Sequence, residues 1–180
     1  MHGIVHAELR DFAIGRVGAA GWSEALERAG VPGKVHLLSE TYPDAELVAL
    51  LGALAEATGE SSGTLLEQFG TASVPGLIRT YGAFLDAGWR TLDVVEHTER
   101  VIHRTVRLQH PGADPPRLRT ERPSYGEARI VYASPRRLCA FGIGVVRGIA
   151  DHYGERVEIA QPTCMLRGDA LCEISVTAST

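Results

Sequence analysis

The spacing of apolar positions divides the chain into a helical first part and a mixed second part. Apolar side chains in the first part recur every three or four residues, and glycine or proline follows several of these runs. The pattern predicts six helical segments, at about 4–14, 22–29, 44–58, 61–69, 74–86 and 91–108. Asp44 is the expected N-cap of the third segment and Ser61 or Ser62 that of the fourth, with Gly59 and Gly70 expected where these helices end.

The second part begins at a connector that cannot be helical, His110–Pro116, which contains three prolines. Four short β-type runs then surround one amphipathic helix. The predicted elements are strands at 118–120 and 128–133, a helix at 137–152, and strands at 157–160 and 171–176. The order predicts an α+β fold in which an N-terminal helical lobe packs on a helix and a small antiparallel four-stranded sheet. At 180 residues we expect one domain, 1–180, with a helical lobe over about 1–60 and the remaining helices and sheet over about 61–180.

Charge and composition exclude several classes of protein. The formal net charge is −4 and the isoelectric point is near 6.0, so the chain as a whole attracts neither nucleic acid nor an anionic membrane. The longest apolar stretch, Leu138–Ile149, is broken by three glycines and by Arg147, and the N-terminus lacks the pattern of a signal peptide. Three cysteines cannot all form disulfides with each other, which favours a reducing compartment and predicts a cytoplasmic protein.

His103 is the first candidate for chemistry, because of its position among seven histidines. It lies near the end of the last long helix, twelve residues before Pro115. Leu92 and Val106 lie near its helix face, but so does Glu99, so the residue occupies an apolar–polar border. From the pattern alone, a histidine at such a border is more often a half-exposed surface residue than a metal ligand.

Tyr132-x-Ser134-x-Arg136 is the second candidate. In a strand these three side chains would point to one face and present two hydroxyls and a guanidinium to a carboxylate. The alternative is a polar stripe that faces solvent, and Pro135 indicates that the strand ends there.

The cysteines Cys139, Cys164 and Cys172 form the third candidate, since two of them flank a Gly-Asp turn. A structural zinc site needs four ligands and this spacing is no known zinc signature, so buried thiols without a ligand are an equal alternative. The sequence contains no phosphate-binding glycine loop, nucleophile elbow or zinc-protease motif, and therefore offers no case for an enzyme.

In combination these features resemble the haem-nitric oxide/oxygen binding (H-NOX) domain family, bacterial relatives of the soluble guanylate cyclase haem domain. The resemblance extends from Met1-His2-Gly3-Ile4-Val5 to Cys172-Glu173-Ile174-Ser175-Val176. Its most specific parts are His103, then Pro115-Pro116, then Tyr132-x-Ser134-x-Arg136, in that order and spacing. The resemblance implies a haem b bound between the lobes and no enzymatic activity.

The resemblance also implies a role for each of these residues. His103 is expected to bind the haem iron, Tyr132, Ser134 and Arg136 to hold the propionates, and one of Pro115 and Pro116 to press on the porphyrin. The expected wall opposite His103 is apolar, and it comprises Ile4, Val5, Leu9, Ile78, Phe141 and Val145. Phe141 stands where oxygen-binding relatives have a tyrosine, so the resemblance implies a sensor of nitric oxide, and of carbon monoxide, that excludes oxygen.

Two further implications concern zinc and partners. Some relatives hold zinc through cysteines and a histidine, and Cys139, Cys164 and Cys172 match those cysteines, but Gln161 stands at the histidine position. A three-thiolate zinc site, a redox switch and no metal at all remain open. The signal would pass to a separate protein, namely a histidine kinase, a cyclic-dinucleotide enzyme or a chemotaxis receptor.

Two other interpretations compete with the gas sensor. One is a haem-free ligand-binding regulatory module related to vinyl-reductase-like domains, whose C-terminal part resembles Cys164-x3-Arg167-Gly168-Asp169-x2-Cys172. The other is a haem enzyme with redox activity, which the apolar wall disfavours because it supplies no acid or base.

Overall fold

The computed structural model describes residues 1–179 and shows the α+β order that the sequence predicts. The helices are α1 Gly3–Arg28, α2 Asp44–Thr58, α3 Ser62–Tyr81, α4 Thr91–Thr98, α5 Arg104–Gln109 and α6 Cys139–Tyr153. A π-helical turn, Glu99–His103, joins α4 to α5, and short 3₁₀ turns lie at Gly82–Phe84 and Met165–Arg167. The strands are β1 Leu118–Ser124, β2 Glu127–Tyr132, β3 Val157–Thr163 and β4 Cys172–Ala178.

The helix ends differ from the sequence prediction at α1 and α2 and agree with it at the start of α3. The first two predicted segments form one element, α1, which is interrupted at Gly18, whose positive φ of 72° breaks the helical path. Asp44 is the first residue of α2 and not its N-cap, which is Pro43. Ser61 does cap α3, where its hydroxyl accepts a hydrogen bond from the Thr64 amide.

The predicted end of α3 at Gly70 is wrong, because the helix continues to Tyr81 and packs along α6. A Cβ atom on Gly70 would lie 2.2 Å from the Phe141 carbonyl oxygen, and one on Gly144 would lie 1.9 Å from the Glu67 carbonyl oxygen. These glycines therefore permit two helix backbones to touch. Gly70, which the sequence pattern marked as a helix end, is instead a contact point between two packed helices.

The sheet is antiparallel with the order β1-β2-β4-β3, which confirms the predicted four-stranded sheet. In its register Tyr132 pairs with both Leu118 on β1 and Cys172 on β4. The end of β2 therefore lies beside the chain that follows the proline connector and beside one of the cysteines. This register brings the second and third candidate groups together.

Two separate hydrophobic cores leave a cavity between them. The larger core joins α1, α2 and α3 around residues such as Leu9, Leu50 and Phe69, all fully buried. The other joins α4 and α6 to one face of the sheet around Ile174 and Val176. Within residues 1–179, no helix combines the length and the apolar character needed to cross a membrane.

Candidate functional site

A cavity of about 280 Å³ lies between the helical core and the sheet. Its wall is almost entirely apolar and is drawn from α1, α3, α6, the α4–α5 segment, the proline connector and β2. The lining includes Ile4, Val5, Leu77, Ile78, Tyr81, Ile102, His103, Val106, Pro115, Pro116, Leu118, Tyr132, Arg136, Phe141, Val145 and Ile149. An apolar cleft with few polar groups is typical of a site for a large, flat, mostly apolar ligand.

His103 lies at the end of the π-helical turn and lines this cavity. In the turn the Arg104 amide donates to the Glu99 carbonyl oxygen, five residues back instead of four. Such wide turns are rare and often occur at functional sites because they re-aim a side chain. The His103 side chain is only 15% exposed, so the sequence-based alternative of a half-exposed surface residue is not what the structure shows.

Glu99 fixes the orientation of the His103 ring. Its Oε2 lies 3.0 Å from His103 Nδ1 and also accepts from the Leu118 amide at 3.0 Å, while its Oε1 accepts from Arg107 at 2.8 Å. With both carboxylate oxygens already engaged, Glu99 acts as a rigid acceptor for Nδ1–H. The remaining nitrogen, Nε2, is then the one that carries a free lone pair for a metal.

The environment of His103 also favours its neutral form. Burial lowers the pKa of His103 below its usual value, although hydrogen bonding and charge from Glu99 oppose this effect. A neutral imidazole is the form that binds a metal ion.

Pro115 and Pro116 lie on the cavity wall close to the segment that carries His103. The Pro115 carbonyl oxygen accepts a hydrogen bond of 3.4 Å from Arg107, the same side chain that binds Glu99. The proline connector is therefore joined to the helix that bears His103. Its fixed φ angles make it a stiff part of the wall.

The polar motif Tyr132-x-Ser134-x-Arg136 does not lie on one strand face, and that expectation is wrong. Strand β2 ends at Tyr132, and the chain then turns through Pro135 to Arg137, whose φ is +52°. Tyr132 and Arg136 nevertheless both line the cavity, because the turn folds Arg136 back. Ser134 is buried but lies outside the lining, and its hydroxyl accepts from the Arg136 amide at 3.3 Å.

Arg136 is held by a network that the sequence analysis missed. Its Nε donates to Asp44 Oδ2 at 2.6 Å and its Nη1 donates to the Asp114 carbonyl oxygen, while the Met1 amino group lies 2.9 Å from Asp44 Oδ1. Burial opposes ionisation of Asp44, but hydrogen bonds from Met1 and Arg136 hold the pKa of that carboxyl below its usual value. The site thus shows a guanidinium that binds a carboxylate at the edge of an apolar cavity.

The predicted apolar wall is largely present. Ile4, Val5, Ile78, Phe141 and Val145 line the cavity, whereas Leu9 is fully buried in the helical core and lies outside the lining. The Phe141 ring lies 5.0 Å from the ring of Phe69, which anchors it against that core.

Tyr81 is a cavity residue that the sequence analysis missed. It is 5% exposed, and burial raises the pKa of its hydroxyl, so the group stays protonated. It packs with Ile4, Val106 and Ala113 at one edge of the cavity. Its spacing of three residues from Ile78 on one helix face was the available signal.

The three cysteines form one buried cluster behind Tyr132. The sulfur atoms of Cys139 and Cys164 are 3.7 Å apart, and all three thiols lie within 4.8 Å of one another. Burial raises the pKa of Cys172 to about 11. Among residues 1–179 no histidine, aspartate or glutamate joins these three thiols as a fourth metal-ligand atom.

Comparisons with known proteins agree with this geometry. Residues 2–161 match the family model described as haem-NO-binding. The fold is similar to an H-NOX protein from S. oneidensis in the Fe(II)NO ligation state, with a TM-score of 0.94 and 24% identity over 100% of both chains. It is also similar to an Fe(II) unliganded H-NOX protein from K. algicida, with a TM-score of 0.88 and 20% identity over 100% of this chain and 97% of that one. A comparison with curated protein sequences gave no match.

The chain therefore belongs to the haem-NO-binding, or H-NOX, family of haem-based gas-sensor domains. Domains of this family bind haem, and the residues of this chain suit that group. An imidazole with a free Nε2, an apolar slot and a guanidinium at its edge match an iron, a porphyrin ring and a propionate respectively.

Proposed function

We propose that this chain binds one haem b through Nε2 of His103 and serves as a sensor of nitric oxide. The hydrogen bond from His103 Nδ1 to Glu99 carries the proposal, because it leaves Nε2 as the free nitrogen of a buried neutral imidazole in an apolar cavity. Bound haem would supply a ferrous iron with an open position for a diatomic gas. We further propose that the chain is not an enzyme.

Arg136 would bind one propionate, and Tyr132 would support it. The Arg136 side chain already binds the Asp44 carboxylate, and a propionate would compete for or share that position. The Tyr132 hydroxyl accepts from the Leu138 amide at 3.0 Å and has its own proton to donate. Ser134 would act through the backbone of Arg136, since its hydroxyl accepts from that amide.

The apolar wall supports selectivity for nitric oxide and carbon monoxide over oxygen. Bound oxygen carries partial negative charge and is held by a hydrogen-bond donor, which Phe141 cannot supply. Tyr81 is a donor on the cavity lining, but it packs with Ile4 and Val106, whereas Phe141 packs against the helical core. One of Pro115 and Pro116, which both line the cavity, would press on the bound porphyrin.

The signal would pass from His103 to a partner protein. Glu99 joins His103 to the Leu118 amide of β1, so a change at His103 would reach the sheet through this carboxylate. A gas can drive this change only by binding one of the two states more tightly. The receiver would be a separate histidine kinase, cyclic-dinucleotide enzyme or chemotaxis receptor.

The cysteine cluster fits a reducing compartment, which supports a cytoplasmic location.

The sulfur atoms of Cys139 and Cys164, 3.7 Å apart, would bind zinc as part of a three-thiolate site or form a disulfide under oxidation. Zinc analysis and a thiol count on freshly purified protein would separate these two uses.

The absorption spectrum of the purified protein tests the haem proposal. Wild type should show an intense violet absorption band, and His103→Ala should lose it unless imidazole is supplied in solution. His152→Ala, at an exposed position on α6, should behave as wild type. A wild-type protein that takes up no haem would instead favour the haem-free regulatory module, and an unchanged band in His103→Ala would refute His103 as the ligand.

A further inference from the structure

A second cluster of metal-binding side chains lies outside the haem cavity. His6 on α1, His36 in the loop between α1 and α2, and Glu46 on α2 bring their ligand atoms within 4.8 Å of one another. None of the three lines the cavity beside His103. His6 is fully buried, and the side chains of His36 and Glu46 are 3% and 8% exposed.

His6 is the unexplained member of this cluster. Among residues 1–179, no group meets hydrogen-bond geometry with either ring nitrogen, although the side chain is completely buried; the His2 backbone is only the weakest of the influences on the pKa of His6. Buried polar atoms are nearly always satisfied, and an exception calls for a water molecule or an ion. A purely structural role would be better served by an apolar side chain of similar size.

The donor set has the composition of a transition-metal site. Two imidazoles and one carboxylate are the protein ligands of many zinc sites in which water takes the fourth position. Burial lowers the pKa of His6 to about 4, so the imidazole is already in the neutral form that binds a metal. His36 Nε2 and Glu46 Oε1 are 2.5 Å apart and form a hydrogen bond.

We propose that His6, His36 and Glu46 bind a divalent transition-metal ion, with Zn²⁺ the ion that this donor set fits best. The ion would take the place of the proton between His36 Nε2 and Glu46 Oε1, and that proton would move to Nδ1 or leave to solvent. The rings of His6 and His36 are stacked, with centroids 4.4 Å apart and planes 15° apart, so one ring must turn to direct its lone pair at the ion. A second cavity of about 190 Å³, lined by both histidines, gives room for this rotation.

Lys34 affects the affinity of the same site for a metal ion. Its ammonium lies 2.6 Å from Glu46 Oε2, so one carboxylate oxygen is engaged and the other faces the histidines. The positive charge of Lys34 opposes a cation at Glu46, and the site is expected to bind zinc more tightly without it. Bound zinc would join α1, the following loop and α2, close to Ile4 on the haem cavity wall.

Zinc binding to the haem-loaded full chain tests the proposal. After removal of loosely bound metal with a chelator, wild type is titrated with Zn²⁺ and zinc per chain is measured. X-ray absorption at the zinc edge then distinguishes nitrogen and oxygen ligands at about 2.0–2.2 Å from the sulfur of the cysteine cluster at about 2.3 Å. We expect wild type to bind one more zinc per chain than His6→Leu, with nitrogen and oxygen ligands at that extra ion.

Matched variants make the outcome decisive. His6→Leu should remain folded because it removes two unpaired buried nitrogens. Glu46→Gln is a second variant that should lose the extra zinc, at a side chain that is less buried than His6. His152→Gln should retain all zinc, while Lys34→Gln should bind the extra ion several-fold more tightly. Equal zinc content in wild type, His6→Leu and Glu46→Gln, or sulfur as the only ligand type in wild type, would overturn the proposal and leave water as the partner of His6.

Discussion

Glu99 determines what His103 can do. One carboxylate binds the imidazole, the Arg107 guanidinium and the Leu118 amide, so helix, connector and sheet meet at one side chain. Outer groups of this kind orient a metal ligand and raise its basicity. In the proposed haem complex, Glu99 would therefore influence the strength of the bond from His103 to iron.

Replacement of Glu99 by glutamine should weaken haem binding. The amide oxygen can still accept from His103 Nδ1, but it lacks the charge that makes the imidazole a strong donor, and we expect haem affinity to fall about 10- to 100-fold. Haem transfer to a scavenger protein measures this loss. Glu96→Gln is the control. Glu96 lies one turn before Glu99 on the same helical segment, but it pairs with Arg122 of β1 and not with His103. Equal loss rates in both variants would show that Glu99 is not the orienting group.

Phe141→Tyr should increase retention of oxygen. The new hydroxyl would add a donor to the apolar wall, and one hydrogen bond worth about 1.4 kcal/mol slows oxygen dissociation roughly tenfold. Stopped-flow displacement of oxygen by carbon monoxide measures the rate. Phe141→Leu, which changes shape without adding a donor, should show no such retention. If oxygen dissociates from Phe141→Tyr as fast as from wild type, position 141 does not face the bound gas.

At the level of elements, the contact between α3 and α6 positions the cavity wall. Gly70 and Gly144 allow the two backbones to touch, so that Ile78 and Val145 come to face the same space. The sequence could not show this function of Gly70, because a glycine between two apolar runs is also the usual mark of a helix end.

Gly144→Ala should destabilise the protein. A Cβ at this position would lie 1.9 Å from the Glu67 carbonyl oxygen, and forcing the helices apart should cost about 1–3 kcal/mol of unfolding free energy. Urea denaturation measures the change. Gly52→Ala on α2 is the matched control, since nothing lies within 4 Å of its Cβ position and the substitution should add about 0.5–1 kcal/mol. A neutral Gly144→Ala would mean that the two helices can separate without cost.

The turn after β2 marks the point at which the alternation of side chains between the two faces of the strand stops. Tyr132 and Arg136 both line the cavity, but Ser134 does not, and the three side chains do not share a strand face. Alternation applies only within a strand, and β2 ends at Tyr132. Arg136 reaches the cavity through a turn whose partners, Asp44 and Asp114, lie far away in the sequence.

For the molecule as a whole, the closed hydrophobic core and the cavity lie in different regions. The core of α1, α2 and α3 is closed, whereas the residues between that core and the sheet enclose the cavity. Substitutions in the two regions should therefore have different effects.

Leu50→Ala tests this separation. Leu50 is fully buried in the helical core and lies outside the cavity lining, so its truncation should cost about 2–5 kcal/mol while the haem spectrum stays unchanged. Val145→Ala, on the cavity wall, should instead change the rate at which nitric oxide binds. Thermal unfolding and flash photolysis measure the two effects. Altered gas kinetics in Leu50→Ala would show that the core and the cavity are coupled.

The sequence by itself determined the α+β order, the four-stranded sheet and the family, and it singled out His103 and Arg136, which the structure places on the cavity lining. These features depend on local periodicity, on proline and on a spaced motif, all of which are properties of neighbouring residues in the chain. Only the tertiary structure decided which atoms act together: Leu118 on Glu99, Asp44 on Arg136, Tyr81 on the cavity lining, and His36 and Glu46 around His6. Such pairings depend on distances between segments remote in sequence, and these distances are set by packing and by no local pattern.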